Sequence, residues 1–181
     1  MIQKIIQASV LNTYIYEEIS NNSSSIFGIT YLVIFSGICL GFGVMSSSFI
    51  SNPNDSSFLQ QTINLIIGIS IATSAVLAGW IIWSGLIYIS TSKLLRGTAK
   101  YRQTLRAIGI SYGPGILFLF THIQIFGFRI FPILGAIWIL LAAVFAVHTI
   151  QKIDWLGTIL SVISGWVLCF YFLPTSTKLK Y

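Results

Sequence analysis

The chain has 181 residues, 55% of them hydrophobic and only 8% charged, with a mean hydropathy of +0.87 and a net charge of +6. Soluble domains carry about 25% charged residues, so these are too few to coat a water-facing globule, and lipid is the natural solvent of the chain. In such a protein a basic excess points to loops facing anionic lipid on the cytoplasmic side, not to nucleic acid, which is not expected as a partner.

At the start, Ile2, Ile5, Ile6, Val10, Leu11 and Tyr14 lie close to helical spacing. Residues 1–25 are expected to hold a short amphipathic helix lying in the membrane interface, followed by Glu17, Glu18 and a flexible SNNSSS run. A secretory signal is not expected, because Gln3, Lys4, Gln7 and Asn12 interrupt any apolar core.

Five uncharged apolar runs follow, at about 26–45, 62–92, 107–126, 130–150 and 155–174. A membrane-crossing helix needs about 20 apolar residues. The expected fold is therefore all-α: an integral membrane bundle of five transmembrane helices over 26–174, preceded by the interfacial helix and followed by a polar tail at 175–181. Gly113, Pro114 and Gly115 fall near the start of the third run. Membrane helices tolerate them, so a kinked span is expected there. The short connection FGFRIFP predicts a tight antiparallel pair of spans three and four.

Small residues recur four apart: Gly37 and Gly41, Ala75 and Gly79, Gly109 and Gly113, and the stripe Gly157, Ser161, Gly165. Such spacing lets helix backbones approach closely, and the last stripe is a candidate helix-packing surface. Cys39 and Cys169 lie inside apolar runs and read as buried thiols. Trp80 and Trp83 are expected to pack between helices, and Trp155 to sit at an interface.

Half of the ten Lys and Arg, namely Lys93, Arg96, Lys100, Arg102 and Arg106, fall between spans two and three. With a cytoplasmic N-terminus they join Lys4 and Lys152 inside, leaving Arg129, Lys178 and Lys180 outside. The positive-inside rule then puts the N-terminus in the cytoplasm and the C-terminus on the opposite side, with Lys178 and Lys180 as a contrary signal. The five clustered cations are candidate contacts for lipid headgroups or for an acidic protein partner, with Gly97 a break among them.

No nucleotide-binding loop, HExxH, CxxC or G-x-S-x-G motif is present. Glu17, Glu18, Asp55 and Asp154 all fall in or near loops, and none lies mid-span, where an ionisable group signals function. No enzymatic activity and no cofactor are expected. His122 and His148 should face opposite membrane surfaces, which makes them a poor metal pair.

The run GWIIWSGLIYISTSKLLRGTAKYRQTLRAIGISYGPGILFLF resembles the Yip domain family, the Ypt/Rab-interacting multispanning membrane proteins and their prokaryotic relatives. The likeness rests on Leu94, Leu95, Gly97, Arg106, Gly109 and Pro114 in order, and extends to TYIYEEIS upstream and GAIWILLAAVFAVHTIQKIDWLGTILSVISGWVLCFYF downstream. It implies five spans, a cytoplasmic N-terminus and no enzymatic activity. Eukaryotic members act in vesicle trafficking, and some bind Rab GTPases. Here only about 25 residues precede the first span, which argues against a Rab-type partner. Three readings follow: a non-enzymatic organiser of membrane or scaffold for other membrane proteins, an accessory subunit of a larger membrane complex, and a small transporter or channel. Membrane lipids are the expected partners in each, and other membrane subunits in the second.

Overall fold

A computed structural model describes residues 2–22, 25–51, 57–125 and 128–175; the expected tail at 175–181 lies almost wholly outside them. The described residues form helices α1 (Ile2–Ser9), α2 (Thr13–Asn21), α3 (Ser25–Ser51), α4 (Phe58–Ile89), α5 (Tyr101–Ile110), α6 (Ile130–Gln151) and α7 (Trp155–Thr175). A π-helical turn at Ser90–Leu94 extends α4, and a 3-10 segment at Gly113–Phe120 follows α5. No strand occurs among the described residues. Among the described residues three helices are long and apolar enough to cross a membrane: Ser25–Ser46 of α3, Phe58–Leu94 and α6.

The N-terminal segment differs from expectation. Two helices stand where one was expected, and the second carries Glu17 and Glu18 inside it. Leu11 turns left-handed (φ 64), with Asn12 N–H donating to the Gln7 carbonyl and Leu11 N–H to that of Ala8. These two bonds close α1 as a Schellman motif with leucine in the glycine position. Asn12 then accepts from Tyr14 N–H and starts α2. Tyr16 folds the pair together, its buried hydroxyl donating to the Ala8 carbonyl at 2.6 Å. Burial pushes the Tyr16 phenol up from its ordinary pKa.

Gly37 and Gly41 lay α3 directly on α4. A Cβ at Gly37 would stand 2.7 Å from Thr73 Cα, and one at Gly41 2.6 Å from Ile69 Cα. The order of these contacts makes the two helices antiparallel. Gly109, Gly115 and Gly43 set the neighbouring strip: added Cβ atoms would run into Ile29, Ser36 and the Phe118 carbonyl respectively. Thus α5 and the 3-10 segment climb alongside α3 in the same direction. The third apolar run is therefore two short helices in line, not one kinked helix. Pro114 in the first turn of the 3-10 segment supplies no N–H, and close approach to Ser36 leaves no room for a side chain at position 115.

Beyond Phe120 the chain reverses, with Ile125 and Phe128 exchanging backbone hydrogen bonds at 3.0 Å. On its return α6 packs Gly135 on Leu117 and Phe118. Finally α7 runs antiparallel to α4, placing Gly165 beside Trp83 and Gly157 beside Leu95. Gly157, Ser161 and Gly165 all lie on its buried face. Trp80 and Trp83 are buried between helices, their indole N–H groups donating to the Leu105 and Val162 carbonyls at 2.9 and 3.1 Å. Cys39 and Cys169 are buried free thiols.

Replacing Gly41 by Val forces α3 and α4 apart at their closest point. Overpacking of this kind costs about 1–3 kcal/mol, so thermal unfolding in mild detergent should occur several degrees lower. Gly85→Ala, whose Cβ meets nothing nearer than Tyr101 Cε2 at 4.0 Å, should leave the midpoint unchanged.

Candidate functional site

The chemistry of the chain gathers at one end of the bundle, where α2, the linker after α4, the start of α5 and the end of α6 meet. The linker begins at Thr91, whose carbonyl accepts from both Leu95 N–H (3.2 Å) and Gly97 N–H (2.9 Å). This closing turn drives Arg96 left-handed (φ 55). At Gly97 any side chain would collide with the Gln151 amide oxygen, so the position has room only for glycine.

Gln151, fully buried at the last position of α6, is the hub. Its side-chain Oε1 accepts from Ala99 N–H at 3.1 Å, its Nε2 donates to Thr104 Oγ1 at 3.1 Å, and its main-chain carbonyl accepts from Thr98 N–H at 3.2 Å. One residue thereby fixes the linker, the first turn of α5 and the end of α6. Gln103 accepts from Lys100 N–H at 2.8 Å, which is half of a capping box. Lysine has no acceptor to complete it, so Gln103 N–H goes to the Lys100 carbonyl instead.

Lys93, Arg96, Lys100 and Arg102 are exposed around this knot. Arg106 differs: it is only 9% exposed, and its Nη1 donates to the Ser20 carbonyl at 2.7 Å. Beside it Gln103 Nε2 donates to Asn21 Oδ1 at 2.8 Å. Both bonds attach α5 to the C-terminal end of α2. A hollow of about 470 Å³ opens there, lined by Lys100, Arg102 and Arg106 with Ser20, Asn21 and Gln103. An adjoining hollow of about 200 Å³ holds Glu17 and Lys152.

Lys152 is left-handed (φ 53) and ends α6, and Asp154 caps α7 by accepting from Gly157 N–H at 3.0 Å. His148 stacks on Trp155 with ring centres 3.8 Å apart, and Trp155 remains partly exposed. His122 follows the 3-10 segment beside Thr121, which meets Gly43 far along α3. The two histidines therefore lie at opposite ends. Among the described residues no three His, Cys, Asp or Glu side chains gather as a metal site. Within the bundle a cavity of about 190 Å³ has almost wholly apolar walls, including Leu40, Val76, Trp83, Phe118, Ile139 and Trp166.

Sequence reasoning found the basic cluster and missed the residues that organise it. Gln151 lies just past the fourth expected span and was not singled out, and Ser20 and Asn21 entered only as part of a flexible run. A glutamine closing an apolar helix was a usable signal, because a buried amide needs partners.

Apolar helices alternating in direction, knotted by hydrogen bonds at one basic end, define a helical integral membrane protein. The chain belongs to the Yip1 domain family, whose family model matches residues 13–176. No curated protein and no solved structure matches it.

Gln151→Met keeps the bulk of the side chain and removes both amide ends. Ala99 N–H then loses its partner, while Thr104 Oγ1 keeps its 3.4 Å bond to the Lys100 carbonyl, a cost of about 1–3 kcal/mol for the one buried group left unpaired. The variant should unfold at a clearly lower temperature in mild detergent, and trypsin should cut faster at Arg96, Lys100 and Arg102. A variant as stable and as resistant as the parent would show that the hub does not hold this end.

Proposed function

We propose that the chain is a non-enzymatic, five-crossing membrane protein that organises membrane or scaffolds other membrane proteins, with its basic end at the headgroups of the cytoplasmic leaflet. The observation that carries this reading is the collection of Lys93, Arg96, Lys100, Arg102 and Arg106 at one end of the bundle, with Lys152 beside them. Each basic residue near an anionic leaflet contributes about 1 kcal/mol, weakened by salt.

Two further crossings supplement the three long helices. Helix α5 rises about 15 Å and the 3-10 segment about 16 Å, together close to the roughly 30 Å hydrocarbon thickness. Helix α7 is mostly apolar and runs antiparallel to α4. The backbone break between α5 and the 3-10 segment is covered by α1 at Gly113 and flanked by α3 and α4, as irregular backbone at membrane depth requires. On this reading α2 ends at the headgroup level, while α1 reaches into the bundle, where Ser9 lies against Gly113 and its carbonyl accepts from Trp138 Nε1 at 2.8 Å. The apolar walls of the inner cavity give an ion nothing to coordinate, which favours a scaffold over a channel.

One observation favours a second reading, an accessory subunit of a larger complex. The first half of α4 exposes Phe58, Leu59, Ile63, Ile66, Ile67 and Ile71. The whole helix is about 48 Å long, well beyond the hydrocarbon thickness. Gentle-detergent purification with mass spectrometry of accompanying chains separates the two, and a lone monomer would sink the subunit reading.

The topology has a direct check in a background lacking Cys39 and Cys169. Lys100→Cys should react with an impermeant maleimide from the cytoplasmic side only, and Ser57→Cys and a reporter after Tyr181 should report the other side. Labelling of Lys100→Cys and Ser57→Cys from the same side would overturn the five-crossing arrangement.

A further inference from the structure

Arg106 is the most deeply placed charge at the basic end. Its guanidinium has five N–H donors, yet its one hydrogen bond among the described residues is the Nη1 contact with the Ser20 carbonyl. No carboxylate pairs with it among those residues. That carbonyl belongs to the last turn of α2, whose negative dipole end favours a cation, and the other guanidinium nitrogens are not enclosed, so they open onto the hollow beside them. The hollow beside it does not relieve the charge but adds to it, because Lys100 and Arg102 line the same space. Glu17 lines the adjoining hollow with Lys152 and is not among the residues of this one.

Backbone donors point the same way. In the first turn of α5 the Gln103 and Thr104 N–H groups both go to the Lys100 carbonyl, whereas those of Tyr101 and Arg102 have no acceptor among the described residues. Free N–H groups at a helix N-terminus and the positive end of its dipole favour an anion. The hollow therefore combines a buried guanidinium without a counter-ion, two further cations at its mouth and two unused amides.

We propose that this hollow between α2 and the N-terminus of α5 is a built binding site for a phosphate group, held by Arg106 in its depth and by Lys100 and Arg102 at its entrance. A phosphate offers three or four acceptor oxygens and a fork-compatible edge for arginine. A carboxylate offers two, too few to meet three cations and two amides together. The volume of about 470 Å³ leaves room for the rest of a headgroup. An anionic phospholipid and free inorganic phosphate both present this chemistry. The lipid source rests on the reading above that this end lies at headgroup level.

The test uses the full chain in two arms. Inorganic phosphate alone is titrated onto detergent-solubilised protein by calorimetry. Retention of phosphatidic acid is counted by native mass spectrometry after reconstitution in phosphatidylcholine vesicles containing about one-tenth phosphatidic acid. The double variant Lys100→Gln, Arg102→Gln should weaken phosphate binding about tenfold in whichever arm shows it. The control Lys93→Gln, Arg96→Gln removes the same charge outside the hollow and should change it less than about twofold. These four side chains are exposed, so the fold survives both changes. Arg106→Lys, which keeps the charge and loses the fork, should also weaken binding where it folds.

Binding in the lipid arm alone identifies a headgroup as the ligand, and binding in both arms shows that phosphate itself suffices. Equal loss from both double variants would overturn the site in favour of a diffuse basic surface, and would leave the proposed function standing. No binding in either arm would also overturn it and leave an acidic protein as the occupant of the basic end. Neither result touches the topology, which the maleimide labelling reads independently.

Discussion

The amide of Gln151 holds this structure together at the end where its charges lie. Within an apolar bundle an unpaired polar group is expensive, and Gln151 is fully buried. The side chain uses both its acceptor and its donor, on Ala99 N–H and Thr104 Oγ1, while the main-chain carbonyl takes Thr98 N–H. A linker that would otherwise be a solvated loop becomes part of the core. That in turn fixes where α5 begins, and so fixes Lys100, Arg102 and Arg106 relative to α2. The absence of a side chain at Gly97 is what lets the backbone reach the amide.

The remainder of the bundle follows from close approach. Helices in lipid gain no hydrophobic drive toward each other, so small residues and buried indoles decide who meets whom. Gly37 and Gly41 seat α3 on α4; Gly109 brings α5 against Ile29 and Trp80; Gly165 brings α7 against Trp83. Trp80 and Trp83 then donate to carbonyls of α5 and α7, which adds direction to the packing.

Much of this was legible in the sequence. Long apolar runs announce helices because backbone groups in lipid must bond within their own segment. Four-residue spacing exposed the Gly37 and Gly41 contact face, and Trp80 and Trp83 lay too deep to be interfacial. The break in the third apolar run was visible only as Gly113, Pro114 and Gly115; its form depends on Ser36 and Gly43 of α3, far away in sequence. The second N-terminal helix was hidden because Glu17 and Glu18 look like a polar terminus, whereas Asn12 caps a new helix through them. Arg106 was found as one of five cations and not as a buried one. Its neighbours on α5 place it on the inward face, but charge argues for exposure until its carbonyl partner on α2 is seen. Gln151 carries no charge and no motif, so its role emerged only from three-dimensional partners.

The basic linker is an ordered part of the bundle, pinned by Thr91 and Gln151, and not a loop that drifts over the membrane surface. Hydrogen exchange across residues 95–106, in protein reconstituted in lipid, measures this directly. Pinning by Gln151 and Thr91 predicts that the Gly97, Thr98 and Ala99 amides exchange slowly, on the scale of the helices they join, and that Gln151→Met releases them together. Exchange of these three amides at the rate of an open loop in the unaltered protein would contradict it.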